Sequence, residues 1–411
     1  MRASTNCFSS ASPIPLGHHA RENVKILHVI HSVDPQTGGT IEGIRQLSAA
    51  LVELGHNVEV LSLDAPDSPG VRDFPLPLFP LGYGRRGYGY SRRVLPWLTG
   101  HARDYNFVLV NGLWQYGSFA VWRAFRRTQI RYAVFPHGML DPWFKRRYPL
   151  KHVKKLLYWP WAEYRVLRDA EAVFFTSNQE RLAARDSFRL YQCREHVIGY
   201  GIAPPPADLA APLASFDQKF PALSARRPLL FLGRIHEKKG CDLLLRAFRE
   251  ILASPKSPVP PLHLVMAGPY DHAYGLRLRE LARQLGLEAH ITWTGMLTGD
   301  LKWGAFRAAG AFILPSHQEN FGVSVVEALA CGLPVLISDQ VNIWREISSD
   351  HAGLVETDDL PGVVRLLRRW AALAPVEKES VGVNARLCFE KRFQVRMVAR
   401  NLLDVLNNLR V

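Results

Sequence analysis

Short apolar runs alternate with amphipathic stretches along this chain, once up to about residue 205 and again from about residue 228. In the first half the runs Val24–Ile30, Val58–Leu63, Phe107–Val110, Tyr132–Phe135 and Ala172–Thr176 read as buried strands. Between them lie stretches of helical period, such as 41–54, where Ile41, Ile44, Leu47, Leu51 and Leu54 share one face. Strands separated by helices pair in parallel and are covered on both sides, which predicts a doubly wound sheet. The second half repeats the plan, with strands at Leu229–Leu232, Leu262–Ala267, His290–Trp293, Ala311–Leu314, Val335–Ser338 and Gly353–Val355. Helical stretches near Cys241–Leu252, Gly275–Leu285, Gly322–Cys331 and Leu360–Trp370 fill the gaps. A chain of 411 residues exceeds what one core organises. The expectation is therefore an α/β protein of two Rossmann-like domains facing across a cleft.

The same reading sets the boundaries. A polar leader occupies 1–23, a first domain 24–205, a linker rich in Pro, Ala and Ser 206–227, and a second domain 228–390. A closing amphipathic helix at 391–411 has Val395, Val398, Leu402, Leu403 and Val405 as its buried positions.

Five cysteines (Cys7, Cys193, Cys241, Cys331, Cys388), odd in number and without a CxxC pair, fit neither a disulfide framework nor a structural zinc site. They suit a reducing compartment. No apolar run reaches the roughly 18 residues of a membrane span, and the leader lacks the continuous apolar segment of a signal peptide. A cytoplasmic protein is expected. The formal charge of +14 is uneven, with 26 Lys and Arg against 16 Asp and Glu in residues 1–205. Clusters at Arg85–Arg86, Arg92–Arg93, Arg123–Arg127 and Lys145–Lys155 would attract an anionic membrane or a diphosphate-linked lipid, or they reflect a generally basic composition. No zinc-finger spacing or RNA-binding aromatic motif supports nucleic acid as a partner. The segment Lys145–Arg168 mixes Lys and Arg with Leu156, Leu157, Trp159, Trp161 and Tyr164. It reads equally as a surface for the inner face of the cytoplasmic membrane or as a helix packed on the core with a solvated basic face.

The stretch from Pro315 to Asp339, PSHQENFGVSVVEALACGLPVLISD, carries the most chemistry. A strand ends at Pro315, a polar loop follows, and a helix begins near Gly322. That helix start offers unpaired N–H groups and a positive dipole end to an anion, and glycine at 322 allows close approach. Glu319 precedes the helix and Glu327 lies inside it, in a run otherwise apolar, where an unpaired charge is costly. A carboxylate accepts two hydroxyl hydrogen bonds at once, so both suit sugar diols. A second element, FLGRIHEKKG at 231–240, places Arg234 and Lys239 in a strand-to-helix loop where they would clamp a diphosphate. It lacks the order of a Walker A loop, and no Asp-x-Asp metal motif occurs.

Together these pieces resemble the large retaining glycosyltransferase family 4, of GT-B architecture. The likeness rests on GR…KKG at 233–240, the spacing of Glu319 and Glu327, the following EALACGLPVL and the glycine pair Gly38-Gly39. The resemblance implies donor-diphosphate contacts from Arg234 and Lys239, a ribose contact from Glu327 and a contact to the transferred sugar from Glu319. It implies support of sugar and phosphate from the backbone amides of Phe321, Gly322 and Val323. It places Gly38 and Gly39 beside the phosphates and acceptor, His137 (in VFPHGMLDPW) near the sugar, and the nucleobase against Gly268-Pro269 and Met296-Leu297. It further implies a closing helix that returns to the first domain. No cofactor or metal is expected. The donor would be a UDP-sugar or GDP-sugar, and the acceptor a saccharide or lipid-linked saccharide of bacterial polysaccharide assembly. A nucleotide-sugar epimerase of the same architecture and a non-catalytic sugar-nucleotide-binding partner are the alternatives.

Overall fold

The computed structural model describes residues 23–35, 39–83, 87–126, 128, 130–143, 145, 149–224, 226–253 and 262–409. Seven parallel strands form the first sheet, in the order β3-β2-β1-β4-β5-β6-β7. They are β1 (Lys25–Ile30), β2 (Asn57–Ser62), β3 (Leu78–Pro80), β4 (Phe107–Asn111), β5 (Tyr132–Phe135), β6 (Ala172–Phe175) and β7 (Glu195–Val197). The second sheet is parallel throughout, in the order β10-β9-β8-β11-β12-β13. Its strands are β8 (Leu229–Leu232), β9 (Leu264–Ala267), β10 (Ile291–Gly295), β11 (Ala311–Leu314), β12 (Val335–Ser338) and β13 (Gly353–Glu356). This is the two-domain plan expected. The edge strands β3 and β7 were not expected, because three residues each, with polar Glu195 and His196 in one of them, give too little apolar signal.

Successive side chains of a strand face opposite sides, and the first sheet uses both. Val108 and Val110 enter one cluster with Trp122, Trp159 and Val166. Phe107 and Leu109 enter the other, whose outer wall is the helix Val395–Asn408. The chain returns from the second domain for this purpose. Ile202 bridges Gln394, Val395 N donates to Ile202 O at 3.0 Å, and Ile202 N donates to Phe393 O at 2.9 Å, so the outgoing and returning segments are stitched together. Val395, Val398, Leu402 and Leu403 are buried as expected, with Leu406 in the core and Val405 at its margin.

One expectation is corrected. The stretch 206–227, expected to be a linker, folds into the helix Ala210–Lys219, and its Phe216 is buried in the second core. That helix packs on the helix Gly299–Ala308, where Gly304 lets Phe216 and the Pro212 carbonyl approach closely. The segment read as either a membrane surface or a helix packed on the core divides, with Trp159, Val166 and Leu167 in the core and the helix before them outside it. The helix Pro149–Tyr158 has no buried residue, and Leu150 and Leu157 are 83% and 72% exposed. Only after it does the chain dip into the core, at Trp159. The leader to residue 22, Arg85, Arg86 and Arg127 lie outside the described residues. Among the described residues no helix is long and apolar enough to cross a membrane.

Leu402 is fully buried beneath the first sheet. Leu402→Ala should lower unfolding free energy by about 2–5 kcal/mol, the range for emptying a buried leucine site. Urea denaturation followed by circular dichroism measures it, and an unchanged midpoint would show that the returning helix is not integral to that core.

Candidate active site

In each sheet the strand order reverses beside the first strand, between β1 and β4 and between β8 and β11. Loops leaving the carboxyl ends of strands at such a reversal diverge and open a crevice, which is where doubly wound sheets hold ligands. Arg234 follows β8, Pro315–Gly322 follows β11, and His137 follows β5. The two crevices face each other across the cleft.

The loop after β11 is extended where it matters. Glu319 bridges Val341, its N–H donating to Gln340 O and its carbonyl accepting from Asn342 N, each at 3.0 Å. Alternation then sends neighbouring side chains opposite ways. Gln318 and Asn320 reach the first domain, Gln318 Nε2 donating to Asp141 Oδ2 at 2.8 Å and Asn320 Nδ2 to Thr176 Oγ1 at 3.4 Å. Glu319 points back and forms an ion pair with Lys239, both side chains about one-fifth exposed. Gly322 caps the following helix at φ 83°, a left-handed conformation that favours glycine. The helix Val323–Ala330 thus opens with free N–H groups beside the Lys239–Glu319 pair. Arg234 is exposed and makes no hydrogen bond or ion pair among the described residues.

Glu327 has a partner the sequence did not disclose. Lys302, on the helix Gly299–Ala308, donates to its Oε1 at 2.8 Å. Burial pushes the Glu327 carboxyl up, and Lys302 opposes that rise. Both residues line a cavity of about 900 Å³, faced from the first domain by Glu42 and Arg45. That is the size of a ligand site, typically about 300–1,000 Å³. The two glutamates therefore serve different charges, Lys239 for one and Lys302 for the other.

Across the cleft, Gly39 begins the first helix, Gly39–Glu53, and a Cβ placed on it would stand 3.6 Å from Val323 Cγ2. Two helix starts thus meet there. Gly38 lies outside the described residues. Tyr200 joins the pieces, its hydroxyl donating to Gly39 O at 2.7 Å while its ring lies 4.5 Å from that of Phe321. Phe321 itself is buried between Tyr200 and Phe393.

His137 adopts φ 49° and stacks on Phe135. Its Nε2 lies 3.1 Å from Asn111 Oδ1, and the Asn111 amide nitrogen lies 3.1 Å from His28 Nδ1. An amide oxygen only accepts, so the His137 proton sits on Nε2 and Nδ1 keeps its lone pair. Burial pushes His137 down to about 4, so the ring is neutral near pH 7. The next residue, Gly138, has φ 75°, and a Cβ on it would stand 2.7 Å from Asn320 Cγ, a contact only glycine permits. Glu180, buried, holds this loop by accepting from Gly138 N at 2.5 Å and from Thr176 N at 2.7 Å. The S-x-x-E order of Ser177 to Glu180 was a visible signal for that residue. Nothing in the sequence marked Lys302, Tyr200 or Asn111.

Gly268 and Leu297 follow β9 and β10, the two strands on the side of β8 away from β11. Gly268 N donates to Gly295 O at 2.9 Å; Leu297 is buried, whereas Met296 is 71% exposed. On the far side of the first domain's crevice sits a group the sequence did not suggest. Glu163 is fully buried, and its Oε1 accepts from Trp114 N at 2.6 Å and Ser118 Oγ at 3.0 Å, while Oε2 has no partner among the described residues. Burial raises its carboxyl to about 7, against the two hydrogen bonds and nearby Lys155.

Two Rossmann-like domains with facing crevices, one bearing the Lys239–Glu319 ion pair and a helix start, are the GT-B plan. Family models agree: the glycosyl transferase 4-like domain matches residues 38–201 and glycosyl transferases group 1 matches residues 215–371. The chain belongs to this glycosyltransferase family. It is 34% identical over 186 residues to the D-inositol 3-phosphate glycosyltransferase of Rhodococcus erythropolis, over 41% of this chain and 42% of that protein. The match thus spans less than half of that relative's length. Mannosylfructose-phosphate synthase of Agrobacterium fabrum is 25% identical over 349 residues, 76% of this chain and 73% of the synthase. Among solved structures, Anabaena HepE in complex with UDP and glucose superposes with a TM-score of 0.71 at 16% identity, over 94% of this chain and 100% of HepE.

A carboxyl with its folded pKa raised from 4.5 to about 7 binds its proton more tightly folded than unfolded. Its contribution to stability is complete below the unfolded value and is lost as pH rises through about 7. Glu163→Gln does not ionise. Relative to the unmodified protein, it should gain up to about 3 kcal/mol between pH 4.5 and 8, at about 1.4 kcal/mol per pKa unit. Urea melts at both pH values test this, and a pH-independent difference would place the proton elsewhere.

Proposed function

We propose that this protein is a retaining glycosyltransferase that moves a hexose from a UDP-sugar or GDP-sugar to a saccharide or lipid-linked saccharide in bacterial polysaccharide assembly. The observation that carries the reading is the convergence of Arg234, the Lys239–Glu319 pair and the start of the helix Val323–Ala330, with Gly39 and His137 opposite. The complex of Anabaena HepE with UDP and glucose supports a donor of this chemistry.

In this reading a diphosphate takes Lys239 from Glu319. Arg234, Lys239 and the N–H groups of Phe321, Gly322 and Val323 then neutralise the leaving group, so that no divalent metal is required. The freed Glu319 carboxylate accepts from hydroxyls of the sugar. Glu327 exchanges Lys302 for the ribose diol, and the base lies toward Gly268 and Leu297. His137, neutral and with its Nδ1 lone pair available, accepts a further hydroxyl. Gly38 and Gly39 flank the phosphates. The acceptor oxygen bonds to the anomeric carbon on the face from which the diphosphate leaves. The carbon–oxygen bond to phosphate breaks, and the hydroxyl proton passes to the departing phosphate oxygen. The acceptor is presented at the inner face of the cytoplasmic membrane, a reading supported by the unburied helix Pro149–Tyr158 with Leu150, Val153 and Leu157 exposed beside Lys151 and Lys154.

A thermal-shift screen should find a UDP-sugar or GDP-sugar that raises the melting temperature. Arg234→Ala and Lys239→Ala should each weaken that donor about 10–100-fold, the value of one charge-assisted bond. Glu319→Ala should lower turnover more than donor affinity. No shift with any nucleotide sugar would sink the donor assignment. In flotation with phosphatidylglycerol vesicles at physiological salt the protein should rise, and Leu150→Glu with Leu157→Glu should keep it in the soluble fraction. A native chain that stays at the bottom points instead to a soluble acceptor.

A further inference from the structure

Both chain neighbours of Glu319 touch the first domain. The Glu319 backbone is pinned within the second domain by its bonds to Gln340 O and Asn342 N, while Gln318 and Asn320 reach across the cleft. Gln318 is the more heavily engaged. Its Nε2 donates to Asp141 Oδ2 at 2.8 Å, and its Oε1 accepts from Lys238 Nζ at 3.2 Å. Lys238 in turn stands 4.2 Å over the ring of Trp143, and Trp143 N donates to Asp141 Oδ1 at 2.8 Å. These four residues close a ring, two from each domain, all of them half-buried.

The ring lies one residue away from the charges of the donor site. Lys238 precedes Lys239 and Gln318 precedes Glu319, and the two loops are tied together by His317 N donating to Lys238 O at 2.7 Å. The inner members, Lys239 and Glu319, pair with each other. The outer members hold the first domain. A cavity of about 590 Å³, with Trp143, Lys238 and His317 in its wall, opens beside the ring. The contact therefore rests on hydrogen bonds and one cation–ring contact rather than on close packing, which suits domains that part and meet again. It also fixes direction. An ammonium only donates, so Lys238 turns the Gln318 oxygen toward itself and leaves the amide nitrogen for the Asp141 carboxylate.

We propose that Asp141, Trp143, Lys238 and Gln318 form a clasp between the domains, and that Gln318 is a positioning residue for Glu319. With the ring closed, the extended segment 318–320 is held from both domains and the Glu319 carboxylate is set against the transferred sugar. With it open, Glu319 keeps its backbone bonds and loses that alignment, and small displacements of such a group are felt strongly. This rests on the transferase reading above and adds residues that act through Glu319 rather than on the substrate.

The test separates the sugar from the nucleotide. UDP and UDP-glucose, and in parallel GDP and GDP-mannose, are titrated calorimetrically into the full chain, and the affinity of each nucleotide sugar is read as a ratio to that of its bare nucleotide. In Gln318→Glu a carboxylate faces Asp141, and in Asp141→Asn two amide donors meet. Each should lower the ratio about ten-fold, the loss of one charge-assisted bond from Glu319, and leave the bare nucleotide within about two-fold. Combining the two substitutions restores a donor opposite an acceptor and keeps an oxygen for Lys238, so the ratio should recover to within about three-fold of the native value. Small-angle X-ray scattering of the unliganded chain should give a larger radius of gyration for each single variant than for the native protein and the double variant. A ratio unchanged in the single variants, a loss shared equally by nucleotide and nucleotide sugar, or a double variant no better than the single ones overturns the positioning role. If neither nucleotide binds, the donor reading falls by itself and scattering decides the clasp, which equal radii in all four proteins overturn.

Discussion

Parallel pairing governs this molecule. Each strand of both sheets runs the same way as its neighbours, so the loops that leave them gather on one edge of each sheet. The edges hold Arg234, Pro315–Gly322 and Gly268 on one side, and Trp114 and His137 on the other. A side chain along the central strands is core, buried on both faces, and is unable to meet a substrate. Chemistry is therefore confined to a handful of turns before any particular residue is considered.

Within those turns, charge is stored in pairs. Lys239 faces Glu319, and Lys302 faces Glu327. Each half of a pair would be costly alone in a partly buried setting, and removing one partner leaves the other uncompensated. A charged ligand that brings both an anion and hydroxyls satisfies both halves at once. The same economy of partners positions the loop around His137. Asn111 fixes one proton, Glu180 fixes the Gly138 amide, and Asn320 closes over the space that a Gly138 side chain would fill.

The sequence made the strands of both sheets legible because buried parallel strands are continuous apolar runs, and it made Glu319, Glu327, Arg234 and Lys239 legible because they sit at fixed offsets from those runs. What it hid has a physical cause. Lys302 lies on a helix of ordinary amphipathic pattern and acquires meaning only from the residue it meets 25 positions later. Tyr200 and Asn111 act through contacts 161 and 26 residues distant in sequence. Ala210–Lys219 read as a linker because Pro, Ala and Ser dominate it, yet its buried Phe216 suffices to anchor it. Within the segment 145–168, the helix Pro149–Tyr158 leaves its apolar side chains exposed, which periodicity alone does not report.

The returning helix has a consequence for how the protein is made. One face of the first sheet is completed by Val395, Ala399, Leu402 and Leu406, residues synthesised after the whole second domain. Until that helix is made, Phe107, Leu109 and Phe174 have only part of their cover, from residues such as Ala50 and Leu51, whereas nearly all of the second core precedes it in the chain. Domains commonly fold in the order of their synthesis; here the later domain is positioned to settle first, and the earlier one waits for its lid.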